Sequence, residues 1–235
     1  KRCDFRSLPT VTIDGETARD FDDAVSIERL GDGRFKLWVH IADVSHYVGE
    51  KSKLDLEAMA RGTSVYFPDR AIPMLPEELS NELCSLKPDV DRLTLTVALE
   101  VGSRGEILES KFCRSVIHSD ARLTYEMVKN ILIVKDQHLR QDHSQLLEIL
   151  EWMLELCRLL RASRVNRGAI DFDLPEPKIN YDVNGGVLDI IRAERNEAHR
   201  IIEEFMLLAN EAVAQYLERQ GLPLIFRVHE APDTV

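Results

Sequence analysis

Four aspartates occur within ten positions of the stretch DGETARDFDDAV, which covers residues 14–25. They are Asp14, Asp20, Asp22 and Asp23. Each ionised carboxylate raises the cost of ionising the next, so a chain that already carries a net charge of −11 gains nothing from this cluster without a counter-charge. Arg19 is the one cation inside the stretch, and a single guanidinium is too little for four carboxylates.

Carboxylates without a His or Cys beside them are ligands of a hard cation, which favours Mg²⁺, with Mn²⁺ as a substitute, over zinc. Mg²⁺ keeps several waters and is typically completed by substrate phosphates, so the pattern indicates phosphoryl transfer or phosphodiester hydrolysis with one or two metal ions. The pattern disfavours a calcium EF-hand, because D-x-D-x-D-G fails at Ala24 and no Glu occupies the required later position. The alternative is an acidic, solvated loop that binds nothing, since Asp is an ordinary turn residue.

No regular element points all four carboxyls at one place. On a strand Asp20 and Asp22 share a face, whereas on a helix Asp20 aligns with Asp23. Convergence therefore requires irregular backbone, which is common where a loop carries chemistry on a rigid scaffold. Apolar residues predict strands at 10–13 and 24–30 on either side, so the aspartates lie on the connection that enters a hairpin.

The remaining pattern predicts strands and loops in the first half and mostly helices in the second. We see no internal repeat and no linker, so we expect one α+β unit. In the first half the prediction is a turn at 31–33, a return strand at 34–43, a helix at 54–62, a Pro-punctuated irregular run at 66–88 and a second hairpin at 93–119 turning at 103–105. In the second half it is helices at 123–134, 144–168 and 195–221, two strands within 169–194 joined at 184–186, and a strand at 222–229.

Composition limits the class of protein. The chain has 235 residues, 44% of them hydrophobic and 30% charged, which is enough to bury a core. No apolar run approaches the roughly 20 residues of a membrane span, and the first ten residues lack a signal-like apolar segment. We therefore expect a soluble, cytoplasmic protein without a membrane partner. The four cysteines form no C-x-x-C pair and are interpreted as free thiols.

The acidic balance counts against a broad nucleic-acid-binding surface, but it leaves room for a local basic channel. Arginines recur every third residue near the end of the second predicted helix, where they form either part of an RNA channel or, as we prefer, a solvated face. The same two interpretations apply to the arginines just before and inside the last helix. The first group consists of Arg158, Arg161, Arg164 and Arg167, and the second group consists of Arg192, Arg195 and Arg200.

His40, Asp43 and His46 have a loose metal-like spacing within HIADVSH. An alternating strand places His40 on the same face as Trp38, and the pair of histidines lacks the i, i+4 helical spacing of zinc hydrolases. We do not expect a metal site here.

Several longer motifs resemble a known family. The segments are TIDGETARDFDDAVSI, WVHIADVSHYV, IPMLPEELSNELCSL, ARLTYEMV, RGAIDFDLPE and EAHRIIEEFMLLANE. In this order they resemble the catalytic RNB domain of the ribonuclease II/ribonuclease R family, nearer the ribonuclease R branch, from about residue 8 to the end. The resemblance implies a single RNB-type α+β domain, of which residues 1–235 would be the N-terminal two thirds.

The resemblance also implies an activity and its residues. Members are processive, Mg²⁺-dependent 3′→5′ exoribonucleases that hydrolyse single-stranded RNA to 5′-mononucleotides. Their four motif aspartates correspond one for one to those of this chain, with Asp14 and Asp23 as direct metal ligands and Asp20 and Asp22 completing or orienting the site. Tyr125 matches a tyrosine that stacks on the 3′-terminal bases, and stacking accepts every base. The alternative for Tyr125 is a helix-start residue packed into the core.

The family pattern extends past this sequence. Its members carry a Ser-Pro-Ile-Arg segment whose arginines contact the phosphate near the scissile bond, and OB-fold modules flank the domain; neither occurs in these 235 residues. Whether this piece is active is therefore open. The alternative function is a non-catalytic RNA-binding module of the same fold, and a third possibility is a structural protein with a metal-free acidic loop.

Overall fold

The protein has an α+β fold, as predicted. The structure, a computed structural model, describes residues 1–67, 70–170, 177–182, 186–192 and 194–226. The strands are β1 (Cys3–Asp4), β2 (Val11–Asp14), β3 (Asp23–Arg29), β4 (Phe35–Ala42), β5 (Val65–Tyr66), β6 (Ala71–Ile72), β7 (Asp91–Val101), β8 (Ile107–His118), β9 (Ala121–Thr124), β10 (Pro177–Tyr181) and β11 (Val187–Arg192). The α-helices are α1 (Val44–Tyr47), α2 (Lys53–Arg61), α3 (Tyr125–Lys129), α4 (Gln137–Asp142), α5 (Leu147–Asn166) and α6 (Glu197–Arg219).

Seven strands form one mixed sheet in the order β1-β8-β7-β4-β3-β2-β9. The inner pairs are antiparallel, which confirms both predicted hairpins, whereas the two edge strands are parallel to their neighbours: β1 to β8 and β9 to β2. The β3–β4 turn places Asp32 and Gly33 at positive φ, which explains a short polar residue followed by glycine. The order brings β2, β3 and β9 together at one side of the sheet.

One face of the sheet packs against α3, α5 and α6 to form the main core. Alternate strand residues such as Val25 and Leu37 meet fully buried side chains of the two long helices, including Met153 and Phe205. Long amphipathic helices are stable chiefly through such packing of their apolar face. None of the described helices is long and apolar enough to cross a membrane.

The opposite face of the sheet carries a row of buried polar side chains, which we call the hydroxyl ladder. His40 lies at its centre, with Nε2 3.1 Å from Ser26 Oγ and Nδ1 2.7 Å from Thr96 Oγ1. Burial lowers the pKa of His40 to about 3, so the ring is neutral. Both ring nitrogens are therefore engaged by hydroxyls, while Asp43 pairs with Arg2 instead. The complete ladder consists of Thr10, Ser26, His40, Thr96, Ser115 and Thr94.

The sequence prediction is wrong in three places. Residues 123–124 belong to β9 rather than to a helix, because Leu123 is fully buried in register with β2; Thr124 then caps α3, which continues into a π-helical turn (Asn130–Val134). The run predicted as irregular contains β6 and a second π-helical turn (Glu78–Leu83). Residues 222–226 form no strand, and both 227–229 and most of the predicted turn at 184–186 lie outside the described residues.

The arginine stripe of α5 is only partly a solvated face. Arg158 and Arg167 are exposed as expected, and Arg167 lies 3.4 Å from Glu211. Arg164 differs, because it donates to the buried carboxylate of Glu204 at 2.8 Å. Both acids belong to α6, so these pairs join two helices. The other interhelix or local pairs are Arg161 with Glu197, Arg195 with Glu203 and Arg200 with Glu197.

We expect Arg164→Ala to lower the free energy of unfolding by about 3 kcal/mol, because it leaves the buried Glu204 carboxylate without its main partner. Urea denaturation at neutral pH measures this. The control is Arg167→Ala, which breaks an exposed pair and should cost less than about 1 kcal/mol. Equal losses in the two variants would contradict the assignment of Arg164–Glu204 as the interhelix anchor.

Candidate active site

The four aspartates lie where β2 ends and β3 begins. Asp14 is the last residue of β2 and Asp23 the first of β3, and these strands are antiparallel neighbours. Asp20 and Asp22 lie on the connection between them, residues 15–22, which we call the aspartate loop. Its backbone is irregular, as convergence requires. The structure therefore brings all four predicted residues to one end of the sheet.

The aspartate loop is held at both ends by side chains from elsewhere. Arg122 of β9 donates through Nη2 to the carbonyl oxygens of Gly15 and Glu16, at 2.8 and 2.7 Å. At the other end the Ser85 hydroxyl donates to the Arg19 carbonyl at 2.8 Å and accepts from the backbone N–H of Phe21 at 3.1 Å. These contacts fix the path of the chain between Asp14 and Asp23.

The carboxyls affect one another electrostatically. Burial, and then the negative charge of Asp23, raise the pKa of Asp14 to about 7. Burial followed by the charge of Asp22 raises the pKa of Asp23 to about 6. The Asp22 residue is exposed to solvent overall. Partial burial of its carboxyl, and then the charge of Asp20, nevertheless raise its pKa as well. Without a cation, the site resists full ionisation near neutral pH.

Buried polar atoms without a hydrogen-bond partner concentrate at the same place. Among the described residues they include Asp14 Oδ2, Thr12 Oγ1 and Arg122 Nε, and Thr12 is the register partner of Arg122. The Thr12 hydroxyl is nevertheless close enough to lower the pKa of Asp14 by hydrogen bonding, so we rest the argument on Asp14 Oδ2 and Arg122 Nε. Buried polar atoms are normally paired, so these two indicate room for another polar group, and the Asp14 oxygen is a ligand suited to a hard cation.

The carboxyls do not by themselves complete a metal site. Within the described ranges, no group of three or more His, Cys, Asp or Glu side chains has the geometry to hold an ion. Mg²⁺ tolerates this because it retains waters and takes further ligands from substrate phosphates. The residues therefore fit Mg²⁺ better than a cation that needs a protein cage, and the metal-ligand roles of Asp14, Asp20, Asp22 and Asp23 stay predictions.

Tyr125 borders this site. It is the first residue of α3, and its half-buried ring stacks on His199 with ring centres 3.9 Å apart and planes 18° from parallel. Burial first, and then the charges of Asp14 and Asp23, raise the pKa of Tyr125 to about 12, so its hydroxyl stays protonated. Tyr125 packs against the core as well. Its position suits the predicted stacking on RNA, which stays a prediction.

The sequence analysis missed Arg122, His199 and Asn196. Asn196 caps α6 by accepting from the backbone N–H groups of Ala198 and His199, and its Nδ2 donates to the Tyr125 carbonyl at 3.5 Å. A signal existed for Asn196, because Asn before a helix is a strong N-cap. No comparable signal existed for Arg122, whose role depends on the parallel pairing of β9 with β2.

Comparison with known proteins places this chain in a family. The RNB domain family matches residues 2–235. The chain belongs to the RNB family. The chain is 48% identical to ribonuclease R of Escherichia coli over 233 residues. The aligned region covers 99% of this chain and 28% of that protein.

Solved structures agree with this RNB assignment. Mycoplasma genitalium RNase R in complex with ribose-methylated single-stranded RNA superposes with a TM-score of 0.91 at 34% identity, covering 98% of this chain and 36% of that one. The same protein in complex with double-stranded RNA gives a TM-score of 0.87 at 33% identity, covering 94% and 39%. The chain thus spans only about a third of the length of these relatives.

The raised pKa of Asp14 predicts how the free energy of unfolding depends on pH. Because this pKa is higher in the folded chain than its ordinary value of 3.8, the folded state binds the proton more tightly, and the free energy of unfolding falls as pH rises from about 4 to about 7. Asp14→Asn cannot ionise, so at pH 8 without metal it should exceed the unchanged chain in stability, by on the order of 2 kcal/mol, which is about half of what the full pKa difference implies because solvent screens the partly exposed carboxyl.

Urea denaturation between pH 4 and pH 8 in the presence of a chelator tests this. Glu16→Gln, which removes an exposed negative charge from the same loop, controls for net charge. Parallel stability profiles for the unchanged chain and Asp14→Asn would contradict the prediction.

Proposed function

We propose that this chain is the catalytic part of a Mg²⁺-dependent 3′→5′ exoribonuclease that hydrolyses single-stranded RNA to 5′-mononucleotides. The observation that carries the proposal is the pair Asp14 and Asp23, held at one sheet end with raised pKa values and an unpaired Asp14 oxygen. Similarity to ribonuclease R from several bacteria supports the choice of RNA as substrate.

The mechanism follows from the aspartates. Asp14 and Asp23 would supply direct oxygen ligands, while Asp20 and Asp22, further out on the aspartate loop, would complete or orient the site. Mg²⁺, or Mn²⁺ in its place, would neutralise the carboxylates and lower the pKa of a water for attack on the terminal phosphodiester. The elevated pKa values mean that bound cation and ionised carboxylates stabilise each other.

Tyr125 supports the removal of terminal nucleotides. A tyrosine beside the carboxyls can stack on the last base and seat its phosphate over them without base preference, while the 3′→5′ direction is proposed from the resemblance to the ribonuclease II/ribonuclease R family. The Tyr125 ring is itself backed by His199, so one face is already supported.

RNA must reach this site although the chain is acidic. In the family, OB-fold modules on either side of the domain are expected to deliver it, and we propose the same for the full-length protein, acting in the cytoplasm. The arginines of α5 do not supply an obvious channel, because three of them pair with glutamates of α6.

A binding-only RNB module is the competing function. Unpaired carboxyls facing phosphates would weaken RNA binding, so a pure binder gains nothing from keeping them. The two functions differ in a simple respect: a binder retains RNA in the presence of a chelator and forms no product.

The central test follows 5′-labelled single-stranded RNA incubated with the chain and Mg²⁺. We expect stepwise shortening from the 3′ end, with 5′-mononucleotides identified separately by chromatography of the released products. Both should be lost with chelator and reduced at least about a hundredfold in Asp23→Asn, since the metal would contribute several kcal/mol to the transition state. Glu16→Gln is the matched control in the same loop. Undiminished cleavage by Asp23→Asn would overturn the assignment.

The proposed stacking on Tyr125 predicts how RNA affinity changes when the ring is removed. In the Asp23→Asn background, Tyr125→Ala should weaken affinity for a short single-stranded RNA about tenfold, because one base stack contributes roughly 1–3 kcal/mol. Tyr125→Phe keeps the ring and should stay close to the unchanged affinity. Fluorescence anisotropy with labelled RNA measures both, and equal affinities for the Ala and Phe variants would exclude stacking.

A further inference from the structure

Arg122 contacts the aspartate loop at two separated points. Its Nη2 reaches the Gly15 and Glu16 carbonyls, directly after Asp14, and its guanidinium carbon lies 5.6 Å from the centre of the Phe21 ring, directly before Asp22. A single side chain from β9 thus contacts both ends of the loop.

The aspartate loop has little other support at its first end. Within the described residues it makes one internal backbone hydrogen bond, from Ala18 N–H to the Gly15 carbonyl at 3.2 Å. Its far end is secured independently, since Ser85 contacts both Arg19 and Phe21 and the backbone N–H of Leu86 donates to the Phe21 carbonyl at 2.9 Å. The path of the chain immediately after Asp14 therefore depends on Arg122.

The guanidinium of Arg122 is not paired with the carboxylates of the described site. In the described part of the chain it forms no ion pair with Asp14, Asp20, Asp22 or Asp23, although it is the register neighbour of Thr12, two residues from Asp14. Its hydrogen bonds go to carbonyl oxygens, which leaves the carboxylate oxygens available for a cation. An arginine that bridged the aspartates directly would compete with that cation.

We propose that Arg122 is a positioning residue that holds the aspartate loop in the conformation in which Asp14 and Asp23 face one site. The proposal rests on the proposed function for its consequence, which is metal affinity. A planar guanidinium can donate to two carbonyls and lie against an aromatic ring at the same time, whereas the compact ammonium of lysine cannot reproduce both contacts. Arg122→Lys therefore keeps the charge and loses the geometry.

Hydrogen exchange of the 235-residue chain, measured by mass spectrometry without metal, tests the positioning directly. In Arg122→Lys we expect peptides that cover residues 15–22 to exchange faster, with the Ala18 amide, which donates to the Gly15 carbonyl that Arg122 holds, about tenfold faster. The matched control is Arg140→Lys, which alters an arginine that donates to the Ile131 carbonyl at 2.9 Å, remote from the loop in sequence. Unchanged exchange in residues 15–22 of Arg122→Lys overturns the proposal.

Mn²⁺ binding, followed by electron paramagnetic resonance, tests the consequence. Both Arg122→Lys and Arg122→Gln should raise the Mn²⁺ dissociation constant about tenfold, which is typical for residues that orient metal ligands. If Arg122→Lys bound Mn²⁺ like the unchanged chain and only Arg122→Gln lost affinity, charge rather than geometry would be responsible and the proposal would be wrong. If the unchanged chain bound no Mn²⁺, the proposed metal-dependent function would fail, while hydrogen exchange would still decide the role of Arg122.

Discussion

Like charges that are partly buried together cannot all ionise without a positive partner, and this constraint shapes the end of the sheet that carries Asp14 and Asp23. The chain supplies only part of the positive charge that these carboxyls need. Arg122 lies nearby, but it donates its hydrogen bonds to backbone carbonyls. The pKa of Asp14 therefore stays raised, and one of its carboxyl oxygens has no hydrogen-bond partner. This electrostatic incompleteness is what supports the proposal that a cation from solution completes the site.

The sheet topology makes such a site possible. Because β9 runs parallel to β2, the chain returns to the same end of the sheet and places Arg122 and then Tyr125 beside Asp14. The N-terminus of α6 meets them there through Asn196 and His199. Three segments far apart in sequence therefore converge at one point, while the packed core beneath them keeps the framework rigid.

Much of this could be predicted from local pattern. The antiparallel hairpins and the long helices follow from apolar periodicity and glycine placement, and the aspartate cluster was visible from residue type and spacing alone. The pairing of β9 with β2 was not, because a four-residue strand that runs directly into a helix looks like the first turn of that helix. The interhelix pairing of Arg164 was also hidden, since a stripe of arginines looks the same whether it faces solvent or a second helix; only the burial of Glu204 distinguishes them.

The hydroxyl ladder has a defined donor order from Thr10 to Thr96. Thr10 donates to the Leu8 carbonyl, so it must accept from Ser26, which in turn accepts from Nε2–H of His40. The imidazole is therefore the Nε2–H tautomer, and its Nδ1 accepts from Thr96. The far end of the row has its own acceptor, because the Ser115 hydroxyl donates to the Thr94 carbonyl at 3.2 Å. Backbone carbonyls therefore accept hydroxyl protons at both ends, and the neutral ring of His40 connects the two halves of the row across the sheet. The ¹⁵N resonances of His40 would report which ring nitrogen carries the proton.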